Sequence, residues 1–97
     1  MTTKSPAPHR KTASADRALR AILGDVLGIP ASRTARFTDE TGLFGHLPEL
    51  DSMAVAGLLT EIEDRIGIVI EDDEVDGEML ETYGALHRFV EAKRAAR

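Results

Sequence analysis

Apolar residues along the chain fall into three stretches of helical period, separated by segments that have none. Leu19, Ile22, Leu23, Val26 and Leu27 recur at spacings of three and four, which places them on one face of a helix. That helix is predicted over 14–27, with Ser14 as its cap, Asp16 in its first turn and Arg17 and Arg20 facing outward. Gly28 and Pro30 close it. Val55, Leu58, Leu59, Ile62 and Ile66 form a second face, predicting a helix from Asp51 or Ser52 to residue 66, ended by Gly67. Tyr83, Leu86, Phe89 and Val90 form the third, on a helix over 82–95 with Thr82 as its cap.

The segments between them are equally informative. Residues 31–50 make a long loop, polar at first, then holding Leu43, Phe44, Leu47 and Leu50 among Gly42, Gly45 and Pro48. Loops of this length are usually functional or packed by their own apolar residues. Leu43 and Phe44 are expected to plug one end of the bundle. Ile68, Val69 and Ile70 look locally like a strand, but an apolar run of this length without a partner cannot make a sheet, so it reads as an extended connector. A short helix is predicted over 78–81, after the acidic run 71–76. The expected fold is all-α: a small bundle of three longer helices plus one short helix, with a long loop between the first two.

Ninety-seven residues suffice for one small domain with a modest core. The expected division is a disordered basic tail over 1–13, a helical domain over 14–92 and a basic end over 93–97. With three Phe, one Tyr and no Trp, the core must be aliphatic. Without cysteine there are no disulfides and no thiolate zinc sites, and any thiol chemistry needs a thiol supplied from outside. No signal peptide and no membrane span are legible, so a cytoplasmic protein is expected. The net charge of −5 is unevenly spread: residues 49–81 hold twelve acids against one base, Arg65. That surface argues against nucleic acid and favours partners with basic docking patches, although a solvated face also explains such a run.

The stretch Leu47-Pro48-Glu49-Leu50-Asp51-Ser52-Met53 places a hydroxyl at the start of an amphipathic helix, straight after the long loop. A helix N-terminus presents unpaired N–H groups and a partial positive charge, an environment suited to a phosphodiester. Asp-Ser before an apolar run is also an ordinary cap, so the residues by themselves leave both roles open.

The wider arrangement resembles the acyl carrier protein family, whose attachment site is Asp-Ser-Leu or Asp-Ser-Met at the start of the second helix. The likeness includes Glu61-Ile62-Glu63-Asp64-Arg65-Ile66-Gly67 at the end of that helix, the apolar connector and acidic loop over 68–76, and Thr82-Tyr83-Gly84-Ala85-Leu86-His87-Arg88-Phe89-Val90 in the last helix. It spans residues 14–92. The resemblance implies a carrier rather than an enzyme, with 4′-phosphopantetheine on Ser52, flanked by the motif neighbours Asp51 and Met53. A phosphopantetheinyl transferase would supply the arm from coenzyme A, and its thiol would hold acyl groups as thioesters for partner enzymes. It further implies docking through the second helix, by Met53 and Val55 as apolar contacts and Glu63 and Asp64 as acidic ones. Leu58, Leu59 and Ile62 are candidates to line a space for the acyl chain. Ala54 and Gly57 stand where fatty-acid-synthesis carriers are often acidic, which suggests a specialised pathway. The run Leu-Pro-Glu-Leu-Asp-Ser-Met-Ala-Val looks like carriers of exopolysaccharide and exosortase-type gene clusters.

Other readings remain. A serine hydrolase would need a Gly-x-Ser-x-Gly turn, absent here, and a base, for which His46 is the nearest candidate. Asp72, Glu74, Asp76 and Gly77 mimic the start of a calcium loop, but its twelfth position is Tyr83 instead of Glu, and the histidines have no metal-ligand spacing. A peptidyl or aminoacyl carrier would share the attachment chemistry, though such carriers more often have Gly-Gly-x-Ser. A non-carrier acidic interaction module would use Ser52 only as a cap.

Overall fold

A computed structural model describes the backbone of residues 7–96 and the side chains of residues 15–96. Its helices are α1 (Ala7–Leu27), α2 (Ala31–Thr34), α3 (Ser52–Ile62) and α4 (Tyr83–Ala96). The bundle expected from the sequence is therefore present, with several changes in where its elements begin and end.

The first helix starts at Ala7 rather than at Ser14, so residues 7–13, expected in a disordered tail, have a helical backbone. Residues 1–6 of that tail lie outside the described residues. Pro8 does not oppose this start, because proline is tolerated in the first turn, where N–H groups have no intrahelical acceptor. Leu19, Ile22, Leu23 and Leu27 are buried as the periodicity requires, and Val26 is half-buried. Gly28, at φ 70°, ends the helix, and the N–H of Ile29 turns back to the carbonyl of Gly24 at 3.0 Å.

Arg17 faces solvent as expected, but Arg20 does not. Its Nε donates to Asp16 at 3.0 Å, its Nη1 donates to the carbonyl of Thr34 at 2.6 Å, and its guanidinium lies 4.7 Å from the centre of the Tyr83 ring. The Tyr83 hydroxyl also donates to the Asp16 carboxylate, which ties α1, α2 and α4 together. Burial opposes the charge on Asp16, yet the hydrogen bonds from Tyr83 and Arg20 outweigh it and hold the carboxyl below its usual range. Burial and the same bond to Asp16 push the Tyr83 phenol up.

The long loop holds one short helix that the pattern did not show, α2, and then packs inward through Phe37, Leu43 and Leu50. Leu43 plugs the bundle, whereas Phe44 is 39% exposed. The loop is stapled to the segment before α4: Leu43 and Phe44 donate to the carbonyls of Glu81 and Leu80 at 2.8 and 2.9 Å. In return Tyr83 and Gly84 donate to Thr41 and Asp39 at 2.8 and 3.0 Å. The predicted helix over 78–81 is a series of turns instead, in which the N–H of Glu81 reaches back to Glu78 at 3.3 Å, and the loop holds the end of these turns. The carbonyls of Leu80 and Glu81 are committed to the loop, and Met79 and Leu80 both need burial. The acidic run itself makes one 3₁₀ turn, Asp72–Glu74.

The second long helix reaches Ile62 in α form and continues through Glu63–Gly67 as a wider π turn. Ile68 to Ile70 is an extended connector, with Ile68 buried and Val69 exposed. Thr82 caps α4, its hydroxyl accepting from the N–H of Ala85 at 3.1 Å. Tyr83, Leu86 and Val90 enter the core, and α1 serves as the wall shared by α2, α3 and α4. No described helix is long and apolar enough to cross a membrane.

Candidate functional site

Asp51 and Ser52 divide the two roles that their sequence left open. Asp51 is the cap: extended at φ −97° and ψ −178°, it accepts the N–H of Ala54 on its carboxylate at 2.8 Å. Ser52 is the first residue of α3, exposed, and its hydroxyl makes no hydrogen bond among the described residues. A side chain acting as the cap would have that oxygen turned into the helix. Here it remains available for chemistry.

Two things place this turn. Glu49, just before the cap, receives both Arg33 nitrogens at 2.7 and 3.3 Å, which fastens the end of the loop to α2. The hydrogen bonds from Arg33 hold the Glu49 carboxyl below its usual range. Leu50 is buried, so the chain enters α3 from the core and Ser52 emerges at the surface.

Two open grooves meet at Ser52. One, of about 470 Å³, is lined by the loop from Phe44 to Leu50 with Asp51. The other, of about 240 Å³, is walled by Phe44, Val55, Val75 and Leu80, with Asp76 and Gly77 at its edge. An apolar trough beside an exposed hydroxyl at a helix N-terminus suits a slender arm ending in an apolar cargo. The wall differs from the expected one. Leu58 and Ile62 are fully buried in the core and Leu59 packs against it, because α3 turns that face onto α1.

The candidate docking residues do not form one patch. Met53, 85% exposed, shares the outer face of α3 with Ala56, Gly57 and Thr60, and Asp64 is exposed on the π turn that continues the helix. Val55 turns into the second groove, and Glu63 is held by the N–H of Ile70 at 2.7 Å. Phe44, expected from the sequence as a plug, and Val75 and Leu80 were not foreseen as walls of this groove, because they are far apart in the chain and no local period joins them. The two glycines beside Phe44 were the available sign that this part of the loop turns sharply. Among the described residues no group of three His, Asp or Glu side chains is arranged to hold a metal.

Residues 17–90 match the family described as the phosphopantetheine attachment site. The structure is similar to the solution NMR structure of a holo acyl carrier protein from Nitrosomonas europaea, with 41% identity and a TM-score of 0.75 over 84% of this chain and 95% of the other. The chain belongs to the acyl carrier protein family. No curated protein matches it at a comparable level. As an acyl carrier protein it is a carrier and not an enzyme, and the group it bears is a covalent 4′-phosphopantetheine. A carrier of this kind meets a phosphopantetheinyl transferase and acyl-handling enzymes. The exposed hydroxyl at the start of α3 and the open trough beside it have the chemistry and the room that such a group needs.

Proposed function

We propose that Ser52 bears the arm and that the loaded chain presents acyl thioesters to the enzymes of a specialised pathway in the cytoplasm. One observation supports the attachment residue above the rest: Asp51 does the capping, so the Ser52 hydroxyl stands exposed and unbonded where the two grooves meet. In this reading the arm's phosphate sits at the N-terminal turn of α3, and its apolar cargo lies in the trough between Phe44, Val55, Val75 and Leu80. Partner enzymes dock on the outer face of α3 and the π turn after it, with Met53 as the apolar contact and Asp64 as an acidic one for a basic patch.

The specialised setting is supported by the first turns of that face. Met53, Ala56 and Gly57 carry no charge, nor does half-buried Ala54 beside them, so the enzyme that meets them gains little from a cluster of basic residues there. The test of attachment is intact-protein mass spectrometry after incubation with coenzyme A, Mg²⁺ and a promiscuous phosphopantetheinyl transferase. One arm per chain is expected, and none on Ser52→Ala. An adduct that survives Ser52→Ala refutes the assignment.

A further inference from the structure

The lining of the two grooves at Ser52 includes three titratable side chains: His46, Asp51 and Asp76. Both acids are occupied by backbone donors, Asp51 by Ala54 at 2.8 Å and Asp76 by Met79 at 2.9 Å. His46 is the basic member. It is exposed and makes no ion pair among the described residues. Its position is nonetheless held. Its own N–H returns to Leu43 at 2.9 Å, and its ring lies so close over Gly42 that a Cβ there would collide with it.

We propose that His46 neighbours the phosphodiester of the arm on Ser52 and, when protonated, pairs with it, so that the seating of the arm depends on pH. The proposal rests on Ser52 as the attachment residue. A phosphodiester adds a negative charge to surroundings that are already acidic. Asp39, Glu40 and Glu49 lie on the loop of His46, Asp51 caps the helix after it, and Asp76, Glu78 and Glu81 lie on the segment bonded to that loop. The loop also carries two bases, Arg36 and Arg33, and the two side-chain contacts of Arg33 go to Glu49. An imidazole is the side chain that changes charge between about pH 5 and 8, and a charge-assisted bond to phosphate is about twice as strong as a neutral one.

The experiment uses full-length chain loaded with the arm, confirmed by mass, and follows the ³¹P chemical shift from about pH 5 to 8. The phosphodiester itself does not ionise in this range, so its shift moves only when a neighbour titrates. A single step is expected in the wild type, lost in His46→Gln and kept in His9→Gln and His87→Gln. Thermal unfolding of His46→Gln is expected to match the wild type, because the side chain is exposed. A flat trace in the loaded wild type, or a step that persists in His46→Gln, overturns the proposal while leaving Ser52 in place. If the wild type takes no arm, the mass shows that the attachment reading has failed, and the His46 pairing falls with it.

Discussion

Gly84 and Gly57 both lie in helices, and the structure assigns opposite signs to their replacement by alanine. Gly84 is buried in the first turn of α4, where a Cβ would stand 2.8 Å from both the carbonyl oxygen and the Cβ of Asp39. Ordinary contact begins near 3.4 Å, so the backbone of the loop must retreat by roughly half an ångström. That backbone also accepts the N–H of Gly84 at 3.0 Å, and Thr41 beyond it accepts from Tyr83 at 2.8 Å. Overpacking of this kind costs about 1–3 kcal/mol, and a weakened buried hydrogen bond costs about 0.5–1.5 kcal/mol. The helix preference of alanine returns at most about 1 kcal/mol. Gly84→Ala is therefore expected to lose about 2 kcal/mol, a drop in Tm of roughly 8–16 °C for a domain of this size. Gly57 has open space around it: a Cβ would meet only Val26, at 4.0 Å. There the helix preference acts unopposed, and Gly57→Ala is expected to gain about 0.5–1 kcal/mol. Urea and thermal unfolding of both variants measure the two signs. A Gly84→Ala protein as stable as the wild type would show that the loop is not stapled to α4 as described.

Asp51→Ala removes the cap and should cost about 1 kcal/mol in urea unfolding, while Asp51→Asn, which keeps an accepting oxygen, should cost less. Leu86→Ala empties a fully buried position and should cost about 2–5 kcal/mol, a loss that only a collapsed cavity would reduce. The depressed Asp16 carboxyl stabilises the fold above its unfolded pKa near 3.8, and this is lost as pH falls through the lower folded value. Tm should thus fall in acid, less steeply in Asp16→Asn, and an unchanged slope in that variant would refute the role of Asp16. Ser52 should ignore a serine-directed phosphonate probe, since no hydrogen bond joins it to His46, and labelling of Ser52 would revive the hydrolase reading.

Periodicity located the three long helices because α3 and α4 each bury a single stripe against α1, which buries its own stripe between them, and such a stripe is written locally at spacings of three and four. Leu19, Leu58 and Leu86 needed no tertiary information to be placed inside. The family likeness was legible for a related reason. The cap, the hydroxyl and the helix that follow one another at Asp51 and Ser52 are a local arrangement, and local order survives translation into sequence.

The remainder depended on contacts between distant parts of the chain. The segment 78–81 reads as a helix but folds as turns whose end is bonded to the distant loop, through the carbonyls of Leu80 and Glu81. Arg20 read as a solvent side chain until Thr34, fourteen positions on, offered its carbonyl and Tyr83 its ring. The trough at Ser52 draws its walls from Phe44, Val55, Val75 and Leu80, residues joined by no period. Nearby residues in the chain had already marked Ser52 as a candidate. Its freedom from capping duty follows from the local bond between Asp51 and Ala54, whereas the shape of the space beside it arose only when the loop closed over the helix. Burial and hydrogen bonding are settled by contacts made in the folded chain, and neighbours in space as well as in sequence decide which groups remain free to act.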